Sequence, residues 1–76
     1  MVTFVFNEHK IRIENNSNGD PKYVGEAQTG TATSATNWRI KLITYDANND
    51  PTQVDWADSN NKFEKAWDDR ATYSYG

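Results

Sequence analysis

The residues that could take part in catalysis are few and scattered along this chain of 76 residues. His9 is the only histidine, there is no cysteine, and no serine lies in a recognisable nucleophile motif. Asp68 and Asp69 are adjacent, so they do not face each other across a cleft as the carboxylates of a glycosidase do. We therefore expect no enzyme, no catalytic residue and no cofactor.

One segment has part of the spacing of a calcium loop. Asp46, Asn48 and Asp50 follow the D-x-N-x-D pattern, but Pro51 stands where such a loop needs glycine and Ala57 where it needs glutamate. A hairpin loop closed by Asx turns explains the segment better. With a single histidine and no cysteine, a closed zinc site is not expected either, so we predict no bound metal.

Charge and length limit the partners. The formal net charge of −3 argues against nucleic acid and against anionic membranes, which both favour basic surfaces. Residues 1–8 lack the basic start and long apolar run of a signal peptide, so we expect assembly in the cytoplasm. A domain this small is marginally stable. Without disulfides, aromatic packing or association between subunits must supply stability.

The elements that would position these residues are mostly strands. Apolar and polar residues alternate with period two in several runs, separated by turn-forming segments at 15–21 and 46–51. The runs of alternating residues are 2–6, 10–14, 22–27, 37–45, 53–57 and 71–75. The pattern predicts one mainly β domain over residues 1–76, with five or six strands in an antiparallel sheet, a sandwich or a barrel-like arrangement, and one short helix.

The central hairpin allows a prediction of register. The strand at 37–45 is expected to pair with 53–57 in the register that keeps the apolar residues on one face. The predicted cross-strand pairs are Leu42 with Val54, Ile40 with Trp56, and Lys41 with Asp55.

The helix is expected after this hairpin. Phe63, Ala66, Trp67 and Arg70 have the spacing of one helical face, which predicts a short helix near Asn60–Asp69 closing the open face of the sheet. An irregular strand is the alternative.

The chain has ten aromatic residues, enough for a core and for a surface. We expect Trp38, Trp56, Phe63 and Trp67 to form the core. A second set would remain exposed as an interface: Ile43, Tyr45, Tyr73 and Tyr75. These side chains could instead stack on sugar rings. The small, uncharged residues Gly30, Thr31, Ala32 and Thr33 belong to a segment that is either an exposed loop or a surface packed closely against a neighbour.

Several short motifs, taken in their order along the chain, resemble those of one protein family. They are YVGxA from Tyr23, GTATS from Gly30, WxI from Trp38, ITYD from Ile43, PT at Pro51, WAD from Trp56, Phe63, WDxRA from Trp67, and Tyr75. In this order they resemble short proteins encoded in tailed-bacteriophage genomes. Relatives often have glycine where Asp50 or Ser59 stands here.

The resemblance implies a phage product without catalytic residues. Small all-β modules recur in virions, which favours a structural component of the particle, such as a tail, fibre, adaptor or decoration module. Its partners would be further copies of itself and other virion proteins. Two alternatives remain open: a glycan-binding module on the virion surface, and a small intracellular protein that binds a host factor.

Overall fold

The chain forms one antiparallel sheet and a short helix in the computed structural model, which describes residues 9–76. The strands are β1 (His9–Asn15), β2 (Pro21–Gln28), β3 (Arg39–Tyr45) and β4 (Pro51–Trp56), and they lie in the sheet in chain order. A 3-10 helix follows at Trp67–Thr72. The mainly β prediction is confirmed, and the described residues form an open sheet rather than a sandwich or barrel.

The number of strands differs from the prediction. The described residues form four strands, and the run predicted at residues 2–6 lies outside them. The last predicted strand, 71–75, is wrong: Ala71 and Thr72 belong to the helix, and Tyr75 makes only a single bridge to Ala57.

The core lies on one side of the sheet. Tyr23, Gly25 and Ala27 alternate along β2 as buried residues, and Ile40 is buried beside them on β3. The segment from Ala57 to Gly76 folds across this side, so that Trp67 is only 5% exposed. We refer to this side as the covered face.

The predicted helix is displaced. It starts at Trp67 rather than near Asn60, and it is a 3-10 helix. The residues just before the helix are extended instead, and the backbone of Lys65 pairs with that of Trp38 in two hydrogen bonds of 2.8 Å. An α-helix over Asn60–Asp69 would lose this pairing. Phe63 is therefore 40% exposed and is not a core residue.

The predicted register of the central hairpin is wrong by one residue. Lys41 lies opposite Trp56, Leu42 opposite Asp55, and Ile43 opposite Val54. A shift of one residue moves every side chain of a strand to the other face. Trp56 therefore leaves the core, where the sequence predicted it, and its ring lies on the face opposite Ile40.

The two hairpin loops have the same hydrogen bonds. Asn16 Oδ1 and Asp46 Oδ1 each accept N–H bonds from the residues two and four positions later, at 2.9 and 3.0 Å. The predicted Asx-turn loop after β3 is thus confirmed. Gly19 and Asn49 adopt positive φ at equivalent positions. The side chains of Asn18 and Asn49 join the two loops with a bond of 3.0 Å.

A tight turn starts the segment that covers the core. Asp58 and Ser59 have φ of 53° and 62°, and the N–H of Asn60 donates to the carbonyl of Ala57 at 3.3 Å. Two consecutive positive φ values define a type I′ turn, which favours glycine at its second central position. Ser59 holds that second central position, whereas the positive φ of the loop after β3 falls on Asn49, one residue before Asp50.

Gly25 allows the closest contact in the core. A Cβ atom on Gly25 would lie 2.5 and 2.8 Å from two ring carbons of Trp67, and 3.2 Å from a ring carbon of Trp38. The two indole rings contact each other at 6.0 Å between centroids. The covering segment can approach the sheet this closely only because β2 has no side chain at this position.

Arg70 joins the helix to β1. Its Nε donates to Glu14 Oε1 at 2.9 Å, and its Nη1 donates to the carbonyl of Trp67 at 3.1 Å. Its guanidinium carbon lies 4.7 Å from the centroid of the Trp67 ring, a cation–π contact. The hydrogen bond from Arg70 lowers the pKa of Glu14 below its ordinary value.

Replacing Gly25 with alanine should destabilise the fold. The methyl group would overlap the Trp67 ring, and overpacking of this kind costs about 1–3 kcal/mol. Urea unfolding followed by tryptophan fluorescence measures the change. In a Trp67→Phe background, which removes the benzo ring, the cost of Gly25→Ala should fall by at least about 0.5 kcal/mol. An equal cost in both backgrounds would contradict the contact.

Acid should weaken the attachment of the helix through Glu14. A carboxylate whose pKa is lowered by folding adds stability above its ordinary pKa of 4.5, and this stability is lost as pH falls through the lowered value. We expect Glu14→Gln to lower the urea midpoint at neutral pH and to match the parent near pH 2. In an Arg70→Met background, Glu14→Gln should change neither midpoint. A difference of equal size at both pH values would show that Glu14 acts without its charge.

Candidate functional site: the open sheet face

The side of the sheet opposite the covered face carries most of the exposed large aliphatic side chains among residues 9–76. Ile11 is 57% exposed, and Ile13 and Val54 are each 54% exposed. The strand registers place further side chains on the same side: Val24, Ile43, Trp56, Glu26, Arg39 and Lys41. We call this surface the open sheet face. No other described segment lies across its centre, so the aliphatic residues remain in contact with water.

The orientation of β1 makes this face apolar. The strand alternates Ile11 and Ile13 with Lys10, Arg12 and Glu14, and its register with β2 places Arg12 opposite Gly25 on the covered face. The guanidinium carbon of Arg12 lies 5.9 Å from the Trp67 ring centroid. Polar side chains of β1 therefore reach the edge of the core with their long stems, and its isoleucines point away from it.

Trp56 lies between two cationic side chains on this face. The guanidinium carbon of Arg39 and the Nζ of Lys41 are each 5.4 Å from the centroid of its indole ring. Such contacts are worth about 0.5–1 kcal/mol at exposed sites. They give a physical reason for the observed register, because Trp56 faces two cations here and neither would reach it in the predicted register.

The two cations differ in their ionic partners. Arg39 forms an ion pair with Glu26, which is the residue opposite it on β2. Within the described part of the chain, Lys41 has no carboxylate partner. The open sheet face therefore has an excess positive charge near its centre, although the whole chain has a net charge of −3.

The structure separates the two residues predicted to form an interface on β3. Ile43 lies on the open sheet face, half-buried and opposite Val54. Tyr45 lies near the hairpin loops, where its hydroxyl donates to the carbonyl of Pro21. Desolvation and the nearby Asp20 carboxylate raise the pKa of Tyr45. Ile43 thus lies among the aliphatic side chains of the open sheet face, and Tyr45 lies at the end of β3 beside the hairpin loops.

Tyr73 and Tyr75, also predicted as interface residues, are packed against the core instead. The N–H of Ala66 donates to the Tyr73 hydroxyl at 2.8 Å, and the Tyr75 hydroxyl donates to the carbonyl of Arg70 at 2.7 Å. Burial raises the pKa of the Tyr75 phenol. The segment that covers the core, residues 57–76, has few aliphatic side chains. Its tyrosines therefore pack against the core, where the sequence predicted Phe63 and Trp56.

The segment around Gly30–Thr33 is hydrogen-bonded to other parts of its own domain. The indole N–H of Trp38 donates to the carbonyl of Ala32 at 2.9 Å, and the N–H of Asp68 donates to the carbonyl of Thr33 at 3.0 Å. Gly30 has a φ of 90°. The two backbone carbonyls anchor the segment to the covered side, and its role as a contact to a neighbour stays a prediction.

A hollow with a mixed polar and apolar lining lies at one end of the open sheet face, away from the hairpin loops. Its volume is about 250 Å³, and its lining residues are His9, Gln28, Thr31, Asn37 and Phe63. His9 and Gln28 face each other across β1 and β2. The side-chain amides of Gln28 and Asn37 could not be recognised as neighbours from the sequence, because only the folded chain brings these lining residues together.

Neither a cluster of metal ligands nor a membrane-spanning helix is found among the described residues. Between His9 and Gly76, no group of three or more His, Asp or Glu side chains is close enough to hold a metal ion. The same stretch has no helix that is long and apolar enough to span a membrane.

Comparisons with known proteins return no match. No protein-family model matches the sequence, and neither a curated protein nor a solved structure matches it significantly.

Proposed function

We propose that this protein is a structural component of a tailed-bacteriophage particle, and that it is held in the particle by protein–protein contact through the open sheet face. The observation that carries the proposal is the exposure of Ile11, Ile13 and Val54, each more than half exposed on one side of one sheet. Exposed apolar surface of this kind on a small domain is typical of protein interfaces. The phage origin is supported by the sequence resemblance.

Burial of this face would supply stability that the single domain lacks. Complete burial of an isoleucine or valine side chain contributes about 1.5–3 kcal/mol, and these three side chains have roughly half of that still to gain. Together they offer about 2–4 kcal/mol. This is a large fraction of the stability of a domain of 76 residues.

The charge of the face indicates the chemistry of its partner. Lys41 has no carboxylate partner among residues 9–76, so a matching surface needs apolar side chains and at least one carboxylate. Two copies joined through this face would bring two excess positive charges together, which disfavours a face-to-face homodimer. The occupant we propose is an acidic, apolar surface on a different subunit of the particle.

Ile13→Asp should reduce incorporation of the protein into phage particles. A carboxylate among the aliphatic side chains would be buried on docking, so we expect at least about a tenfold loss in copies per particle. Quantitative mass spectrometry of purified particles, with the major capsid protein as the reference, measures the copy number. Ala71→Asp is the matched control, because it adds the same charge at an exposed site in the 3-10 helix.

Absence of the parent protein from purified particles would overturn the proposal. Incorporation of a folded Ile13→Asp variant at the parent level would do the same, and a thermal unfolding curve of the purified variant establishes that it is folded. The copy number also identifies the location: hundreds of copies indicate capsid decoration, and about three, five or six indicate the tail, a fibre or a vertex.

The choice of partner has its own test. The purified protein should be monomeric by light scattering, and Lys41→Glu should reduce incorporation while Lys62→Glu, at an exposed site outside the sheet, should not. A homodimer that Ile13→Asp dissociates would show that a second copy occupies the open sheet face.

A further inference from the structure

The hollow at the end of the open sheet face has the composition of a site for a small neutral ligand. Two side-chain amides, a hydroxyl, an imidazole and a phenyl ring line a space of about 250 Å³. Pockets for drug-sized ligands usually measure about 300–1,000 Å³, so the hollow suits a single ring better than an extended molecule. Among the residues that the structure describes, no carboxylate, lysine or arginine lines the hollow, which favours an uncharged ligand.

Hydrogen-bonding groups in the hollow are available. The side-chain amides of Gln28 and Asn37 and the imidazole of His9 form no hydrogen bond with any other described residue. Thr31 Oγ1 donates to the carbonyl of Gln28 at 2.6 Å and keeps its lone pairs as acceptors. An amide presents donors and an acceptor side by side, which matches two neighbouring hydroxyl groups.

Phe63 supplies an apolar wall. The residue is 40% exposed, and its ring is held in place by the Arg39 guanidinium at 4.6 Å from the ring centroid and by the His9 ring at 5.5 Å. A fixed aromatic ring at the surface gives contact area at little cost in conformational entropy. A pyranose presents C–H groups on one face and hydroxyls around its edge, so it can contact the ring and the amides together.

We propose that this hollow binds one ring of a neutral sugar, with the C–H face of the ring against Phe63 and its hydroxyls bonded to Gln28, Thr31 and Asn37. The inference does not depend on the assembly role, because the hollow and the exposed aliphatic part of the open sheet face are formed by different side chains. Few contacts in an open hollow give weak binding, with a dissociation constant in the millimolar range.

Titration of the ¹⁵N-labelled full chain with single sugars tests the proposal. The probes are methyl α-mannoside, methyl β-galactoside, methyl β-glucoside and N-acetylglucosamine, each to about 100 mM, which detects dissociation constants of several millimolar. We expect saturable shifts of the side-chain amide signals of Gln28 and Asn37 with at least one sugar. Phe63→Ala and Asn37→Ala should each weaken binding at least about tenfold.

Two control variants separate the hollow from the docking surface. Asn61→Ala changes an exposed asparagine near Phe63 that does not line the hollow, and Ile13→Asp changes an exposed aliphatic side chain of the open sheet face on the edge strand β1. Both should bind the sugar as the parent does. The absence of saturable shifts with all four sugars would overturn the inference, as would binding that survives in both Phe63→Ala and Asn37→Ala.

Discussion

The contact of the Trp67 ring with the backbone of Gly25 determines the arrangement of the rest of the chain. The covering segment has few aliphatic side chains, so it must bring its tryptophan and its tyrosines directly onto the sheet. A side chain at Gly25 would keep Trp67 away from Trp38 and would open the core. The hydrogen bond from Arg70 to Glu14 then holds the helix against β1. The close contact of Trp67 with Gly25 and this bond together orient the whole segment.

One consequence is that only one side of the sheet is covered. Residues 57–76 fold across the face that carries Tyr23 and Ile40, and they reach the other face only at its end, where Phe63 meets Arg39. The isoleucines of β1 are left on the uncovered side, and its charged side chains contact the covering segment. On β1 the charged side chains thus face the core and the isoleucines face water, which is the reverse of the usual arrangement. The exposed apolar side chains therefore lie on one face of the sheet, as a contact with another subunit would require.

The charged residues of the sheet differ in their ionic partners. Arg39 is paired with Glu26 and packs against Trp56 and Phe63. Lys41 contacts the same indole but forms no ion pair with a described carboxylate. The face therefore has exposed aliphatic side chains on its edge strands β1 and β4 and this lysine between them, and the combination would limit the surfaces that can match it.

Local sequence was enough to predict the four strands of the sheet, the Asx-turn loops and the burial of Trp38 and Trp67, because period-two alternation and turn-forming residues act locally. It did not settle the face to which each strand turns. The position of Trp56 depends on the register of β3 with β4, and the start of the helix depends on the pairing of Lys65 with Trp38. The exposure of Ile11 depends on the pairing that places Arg12 opposite Gly25. The alternation along β1 has two possible orientations, and only the tertiary structure selects the one that leaves its isoleucines exposed.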